Sequence, residues 1–194
     1  QPYHYASYSI FVAEVASTTN EILLFEHLLK STKKKELRVY LLNYLADSIR
    51  ATIYRQTMFA EFELQMHELA EEKVPLSADL LCEKYAELNA AYFGSNVHPD
   101  PLIAMEWARI PHFYYNFYVY KYATGMSAAI DLAAKILHGT PAQREAYLNF
   151  LRAGDSKDVL EIMKDASVDL SSPAPIHHAL DYFQSIITRL RTEL

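Results

Sequence analysis

Neither glycine nor proline occurs between Pro2 and Pro75, and the first glycine in the chain is Gly94. Proline breaks a helix by removing an amide donor and glycine weakens it by freeing the backbone, so a stretch lacking both reads as long helices parted only at polar junctions. The pattern predicts a first helix over 7–30. It is followed by the junction LKSTKKKEL, where Ser31 and Thr32 are candidate N-caps, and by a second helix reaching Lys73. That second helix would be about 60 Å long at 1.5 Å per residue. Along it Tyr40, Tyr44, Ile49, Ile53, Phe59 and Phe62 roughly keep helical spacing. Ser77 caps the next helix, Asp79 sits in a first turn whose dipole favours an acid, and Gly94 ends it.

The punctuation becomes denser beyond that point. GSNVHPDPLIAMEWARIP carries Pro99, Pro101 and Pro111 and is expected to be mostly loop with a short helical turn. A helix is predicted from His112 to Leu137, stopped by Gly139. Thr140-Pro141-Ala142-Gln143 then combines an N-cap threonine, proline at the first helical position and a capping-box glutamine, and Gly154 closes that helix. Asp155 or Ser156 caps a short helix to Ala166, and Ser172-Pro173 opens the last, over 173–192. No run alternates apolar and polar residues for the length of a strand, and no segment repeats. The fold class is all-α, a multi-helix bundle with long helices.

Composition narrows the function. With 194 residues, 51% hydrophobic and 22% charged, the chain can bury a core. A net charge of −6 and a single short basic run, Lys33-Lys34-Lys35, leave no electrostatic footprint for nucleic acid. Cys82 is the only cysteine, which excludes an internal disulfide and suits a reducing compartment. No apolar run free of charge reaches the roughly 18 residues of a membrane span, and the N-terminus has no basic-then-apolar signal pattern. The sequence begins at Gln1 rather than Met, so a preceding segment is expected.

Two clusters could carry chemistry. In SYSIFVAEVASTTNE, Glu14 has Ile10, Phe11, Val12, Val15 and Ala16 around it and is expected to be buried mid-helix. A buried carboxylate is protonated, paired with a cation or bound to a metal, and Glu21 projects from the same face two turns on, about 10.5 Å away. A lysine or arginine from another helix would satisfy Glu14 as well as a metal would. The second cluster is ARIPHFYYNFYVYKYATG, with His112, Tyr114, Tyr115, Tyr118, Tyr120 and Tyr122. Tyrosines this dense serve amphipathic packing, but a phenol or imidazole at a helix start can also donate to a developing oxyanion. QMHELAEE opens like the zinc-protease signature H-E-x-x-H, yet its fifth position is Glu71, so the histidine pair is missing and His67 is a surface or core residue. None of the eight histidines has a glutamate three positions before it, which removes the di-iron carboxylate bundle.

Three long motifs, Gln1-Pro2-Tyr3 with FVAEVASTTNE, then RIPHFYYNFYVYKYATG, then FLRAGDSKDVLEIMKDASVDLSSPAPI, make the chain resemble the C-terminal part of the oligoendopeptidase F family. That family belongs to the thimet-oligopeptidase-like zinc metallopeptidases, and the resemblance covers the whole chain. It implies a C-terminal portion of a zincin-type catalytic domain over 1–194. Within it, 1–95 would carry the third zinc ligand, and 96–194 would bind substrate and form the C-terminal helices. In the family, zinc is held by the two histidines of H-E-x-x-H and by a glutamate on the following helix, which corresponds here to Glu14. Glu21 would orient a ligand histidine. A later histidine and tyrosines bind substrate and stabilise the oxyanion. His112 matches that histidine and Tyr120 the oxyanion tyrosine, with Tyr115 and Tyr118 as substrate-binding neighbours. Where the longer thimet-type relatives have a glycine-rich loop after the histidine, Phe113-Tyr114-Tyr115 follows here, which leaves a helical turn of play in the tyrosine assignment.

The H-E-x-x-H helix itself is absent from the sequence. The resemblance therefore implies a fragment of a cytoplasmic metalloendopeptidase acting on short peptides, with zinc as the intact enzyme's cofactor. The fragment is expected to be inactive alone and able to self-associate through the face the missing helix would cover. The alternative is a non-catalytic helical module that binds peptides in its tyrosine-rich groove.

Overall fold

The computed structural model describes residues 2–194; Gln1, the first residue of the first motif, lies outside the described residues. No strand occurs among the described residues, and the elements are α-helices joined by 3-10 and π segments. The chain divides into two compact units, Gln1–Arg50 with Thr124–Leu194, and Ala51–Ala123.

The first unit begins with α1 (Ile10–Ser31), started by Ser9, whose hydroxyl accepts the N–H of Val12. Ser31 does not cap the following helix. Its hydroxyl donates back to the Leu28 carbonyl, so α1 runs one residue past its expected end, and Thr32 adopts an extended conformation as its C-cap. The helix α2 (Lys35–Ile49) follows, with Lys34 as an N-cap that makes no side-chain cap bond. The remaining helices of this unit are α5 (Tyr120–His138), whose first turn lies in the other unit, α6 (Pro141–Ala153), α7 (Val159–Asp165) and α8 (Ala174–Glu193). The capping box predicted at Thr140 and Gln143 is formed, with Pro141 opening the helix, and Gly154 closes α6 at φ 57°. The short helix is capped by Asp158 rather than Asp155 or Ser156, because the Asp158 carboxylate accepts the N–H of Leu160. Ser172 accepts the N–H of Ala174 as α8 begins.

The buried stripe of α1 is Val12, Val15, Thr19, Ile22, Glu26 and Leu29, spaced three and four apart as a helix requires. The helix α2 packs along α8, and Arg38 ties the two together through Glu193 at 2.6 Å. In α5 the stretch Gly125–Ala133 is buried throughout, which identifies it as a central helix of this unit.

The second unit begins at Ala51, inside a π-helical segment, Arg50–Tyr54, that is followed by α3 (Arg55–Glu71). The single helix expected from 32 to 73 is thus interrupted, and nothing in RATIY marks the change, since it contains neither glycine nor proline. Next come α4 (Ala78–Phe93), capped by Ser77 and closed by Gly94 at φ 72°, and two 3-10 helices, Pro101–Arg109 and Pro111–Tyr115. These replace both the expected loop and the expected start of a helix at His112. Each prolyl ring fits a helical first position, and the side chain of Asp100 caps the longer segment by accepting the N–H of Leu102. The α-helix starts only at Tyr120 because Asn116 and Phe117 take φ of 44° and 53°, outside any right-handed helix. The core here is Met58, Phe59, Phe62, Leu81, Tyr85, Leu88, Ile110 and Val119, with Trp107, Phe113 and Tyr122 packed against it.

Candidate functional site

Glu14 is exposed, not buried as its apolar neighbours suggested. Val12 and Val15 occupy the buried stripe, and a residue two places from one and one place from the other lies about 100° off it. Glu21 is exposed on the same side, and neither carboxylate makes a side-chain hydrogen bond or ion pair among the described residues. The buried carboxylate of this helix is Glu26. It accepts from Tyr182 Oη and Arg189 Nη1, both at 2.9 Å. Burial alone would raise its pKa, but the Arg189 and Tyr182 hydrogen bonds and the guanidinium charge bring it below the ordinary carboxylate value. The cation partner sought for Glu14 exists one helix away, for a different residue. The spacing 15, 19, 22, 26, 29 was the signal in the sequence that Glu26, not Glu14, faces inward.

In the second unit the 3-10 turn Pro111–Tyr115 presents His112, and the two left-handed residues that follow turn the chain back past it. Tyr118 lies parallel to the His112 ring, centroids 5.7 Å apart at 5°, and Tyr122 meets it edge-on with its hydroxyl 3.2 Å from Nε2. Tyr118 and Tyr122 are one helical turn apart in sequence and also pack edge to face at 5.5 Å. Tyr115 reaches Tyr118 at 6.2 Å, and the Lys121 ammonium stands 5.5 Å over the Tyr118 ring. His112, Tyr115 and Tyr118 are therefore brought together, and the phenol whose hydroxyl lies within hydrogen-bond distance of the imidazole is Tyr122. Tyr120 is 49% exposed. Tyr122 was within the cluster read from the sequence but was given no role there, because only the turn at Asn116 and Phe117 decides which tyrosine faces the histidine.

Two buried acids support this segment. Glu63, on α3, accepts the N–H of Phe117 at 2.7 Å, and His67, one turn along, packs its ring 4.4 Å from that of Phe117. Glu106 collects Tyr85 Oη at 2.6 Å, Arg55 at 2.5 Å and Arg109. Burial works against its charge, but the Tyr85 hydrogen bond and the two guanidiniums outweigh that and hold it below the ordinary carboxylate value. In return, burial and then the bond to Glu106 push the Tyr85 phenol far up. Neither acid was identified from the sequence, since Phe117, Tyr85 and Arg55 lie tens of residues from the acids they bond and only Arg109 is a near neighbour of Glu106.

A zinc ion, which the resemblance implies, needs three protein ligands and an open position. Glu14 fits as a donor: it is an accessible carboxylate with no competing cation among the described residues. The set stops there, because no group of three His, Cys, Asp or Glu able to hold a metal occurs among the described residues.

Residues 1–182 match the family description "Peptidase family M3". The chain belongs to that family. Among curated M3-like relatives, the chain is 51% identical over 185 residues to the oligopeptidase PepF of Bacillus subtilis strain 168, an alignment covering 95% of this chain and 28% of that protein. It is 46% identical over 190 residues to an oligoendopeptidase F of Lactococcus lactis subsp. cremoris, covering 98% of this chain and 32% of the other. The crystal structure of oligoendopeptidase-F from Enterococcus faecium superposes with a TM-score of 0.92 at 47% identity, over 96% of this chain and 36% of that one. The chain thus spans about a third of the length of the M3 proteins it matches, and it has their all-α fold over that span. No helix among the described residues is long and apolar enough to cross a membrane.

Proposed function

We propose that this chain is the part of a zinc metalloendopeptidase, cytoplasmic and acting on internal amide bonds of short peptides, that supplies one metal ligand and the substrate-holding groups. The observation that carries the reading is the His112 cluster. An imidazole stacked on one phenol and hydrogen-bonded to another is held in a fixed orientation, within a segment that lies inside the M3-matched residues. Relatives named oligopeptidase and oligoendopeptidase support peptides as the substrate class.

The roles follow residue by residue. Glu14 offers a carboxylate oxygen as the third zinc ligand, and Glu21, on the same exposed side of α1, orients a ligand histidine. Bound zinc would polarise the scissile carbonyl and lower the pKa of a water molecule. His112 and Tyr120 donate hydrogen bonds to the carbonyl oxygen as it gains charge, and Tyr115 and Tyr118 offer aromatic faces to the peptide. Tyr122 holds the His112 ring through Nε2, which leaves Nδ1 as the nitrogen that can act elsewhere. The 194 residues contain no H-E-x-x-H, hence neither the paired imidazoles nor the carboxylate that would take a proton from water, and alone the chain is inactive on this reading.

The test is Tyr120→Phe in a complete peptidase containing this sequence, with the 194-residue chain assayed beside it. Removing one oxyanion donor should lower kcat by about 10²–10³-fold with zinc retained, and the short chain should cleave nothing. An unchanged kcat, or chelator-sensitive cleavage by the short chain, overturns the assignment. The exposure of Tyr114 at 85% and Tyr115 at 65% favours a second reading, a non-catalytic peptide-binding face. Under that reading Tyr120→Phe would alter peptide affinity and leave no turnover to measure.

A further inference from the structure

Glu63 takes no part in the reading above, yet it is 1% exposed, on the face of α3 that places Met58, Phe59 and Phe62 in the core. A carboxylate in such surroundings costs free energy unless its oxygens are engaged. Its partner is main chain: the N–H of Phe117, 54 positions away, donates to Oε1 at 2.7 Å, the short distance typical of a bond to a charged acceptor. That amide belongs to an unfavourable turn. Asn116 and Phe117 stand consecutively at φ 44° and 53°, a region an asparagine tolerates and a bulky phenylalanine rarely enters. Such residues are strained and persist where the surroundings over-determine them.

One face of α3 supplies both restraints. Glu63 fixes the Phe117 amide, and His67, four residues on, packs against the Phe117 ring. The next residue is Tyr118, whose ring lies within 5° of parallel to His112. The direction in which the chain leaves the turn decides whether Tyr118 and then Tyr122 close on the imidazole. The geometry points to Glu63 as a positioning residue: by holding the N–H of Phe117 it sets the left-handed turn that stacks Tyr118 on His112. Its consequence for turnover rests on the function proposed above for His112, whereas its effect on the two rings does not.

The test uses three variants. Glu63→Gln keeps an oxygen acceptor in the same place. Glu63→Met keeps the side-chain length and removes the acceptor. Glu63→Asp keeps the charge but falls short of the amide, and serves should Glu63→Met fail to fold. In NMR spectra of the 194-residue chain, Glu63→Met or Glu63→Asp should shift the Phe117 amide upfield and remove the ring-current shifts between His112 and Tyr118, while Glu63→Gln retains them. In a complete peptidase containing this sequence, the Met variant should lose roughly 10²-fold in kcat with little change in KM, and the Gln variant should restore most of it. Unmoved His112 and Tyr118 signals in the Met or Asp variant overturn the proposal, as does a Gln variant as perturbed as the Met one. Displaced rings with unchanged kcat uphold the positioning by Glu63 and overturn the role proposed for His112.

Discussion

Glu106 and Glu26 show how single residues stabilise this chain. Each is a buried carboxylate given a phenol and at least one guanidinium, and with either partner removed the remaining charge would be short of hydrogen bonds in a poor solvent. Tyr85→Phe deletes only the hydroxyl that donates to Glu106, so the core volume is kept and the loss reports the hydrogen bond. It should destabilise by about 1–3 kcal/mol in urea unfolding, and by much less when Glu106 is already glutamine. Equal losses in the two backgrounds would show that the bond does not carry the effect. At this scale the sequence was a partial guide. It placed a buried acid in α1 at Glu14, to be protonated, paired with a cation or bound to a metal, but the buried acid is Glu26, because burial depends on which stripe faces the neighbouring helices and not on how many apolar residues adjoin. The arginine that pairs with it lies 163 positions away and leaves no local trace.

Elements whose start and stop signals are local were legible. Ser77 and the Thr140-Gln143 box cap the helices they were expected to cap, and Gly94 and Gly154 end theirs at positive φ. Gly139 is required for a different reason. A Cβ there would overlap the Lys135 carbonyl oxygen that accepts the Gly139 N–H and the Gln143 side chain of the capping box. Gly139→Ala should therefore cost about 1–3 kcal/mol, or roughly 2–12 °C in Tm for a chain of this size, measured by circular dichroism at 222 nm. An unchanged Tm would mean that the α5–α6 junction adapts freely. The elements that were not legible are those set by distant groups. The left-handed turn at Asn116 and Phe117 follows from a carboxylate and an imidazole on α3, so a pattern reading carried the helix straight through it to His112.

For the whole molecule, the absence of glycine and proline between Pro2 and Pro75, together with the lack of any strand-length alternation, pointed to an all-α fold, which the crystal structure of oligoendopeptidase-F from Enterococcus faecium shares. The aromatic cluster of the candidate site was legible as residue types, less so as geometry: His112, Tyr115 and Tyr118 do gather, and Tyr122 had to be seen to be placed. Stability should have a plateau with two edges. The folded-state pKa values of Glu26 and Glu106 lie below the ordinary 4.5, so the unfolded chain binds more protons there. Their contribution is complete above that value and lost as pH falls through the lowered ones. The phenols have the opposite sign. Tyr92 is pushed up to about 12, by burial first and then its bond to Glu61, and Tyr85 and Tyr182 higher still. Their contribution is complete below the ordinary 10 and lost as pH rises through the raised values. Urea midpoints across pH should be flat between these edges and fall beyond both. A midpoint that does not fall on the acid side would contradict the two carboxylate clusters.

Glu14, exposed on α1 and with no side-chain partner among the described residues, is the proposed zinc ligand of a peptidase. Glu14→Gln in a complete peptidase containing this sequence tests it most directly, since it keeps volume and helix propensity and removes the anionic donor. The measurement is zinc per chain by atomic absorption after dialysis, with cleavage of a quenched fluorescent peptide on the same sample. Zinc is expected well below one per chain, with activity reduced in proportion. Stoichiometric zinc with undiminished cleavage would contradict the assignment.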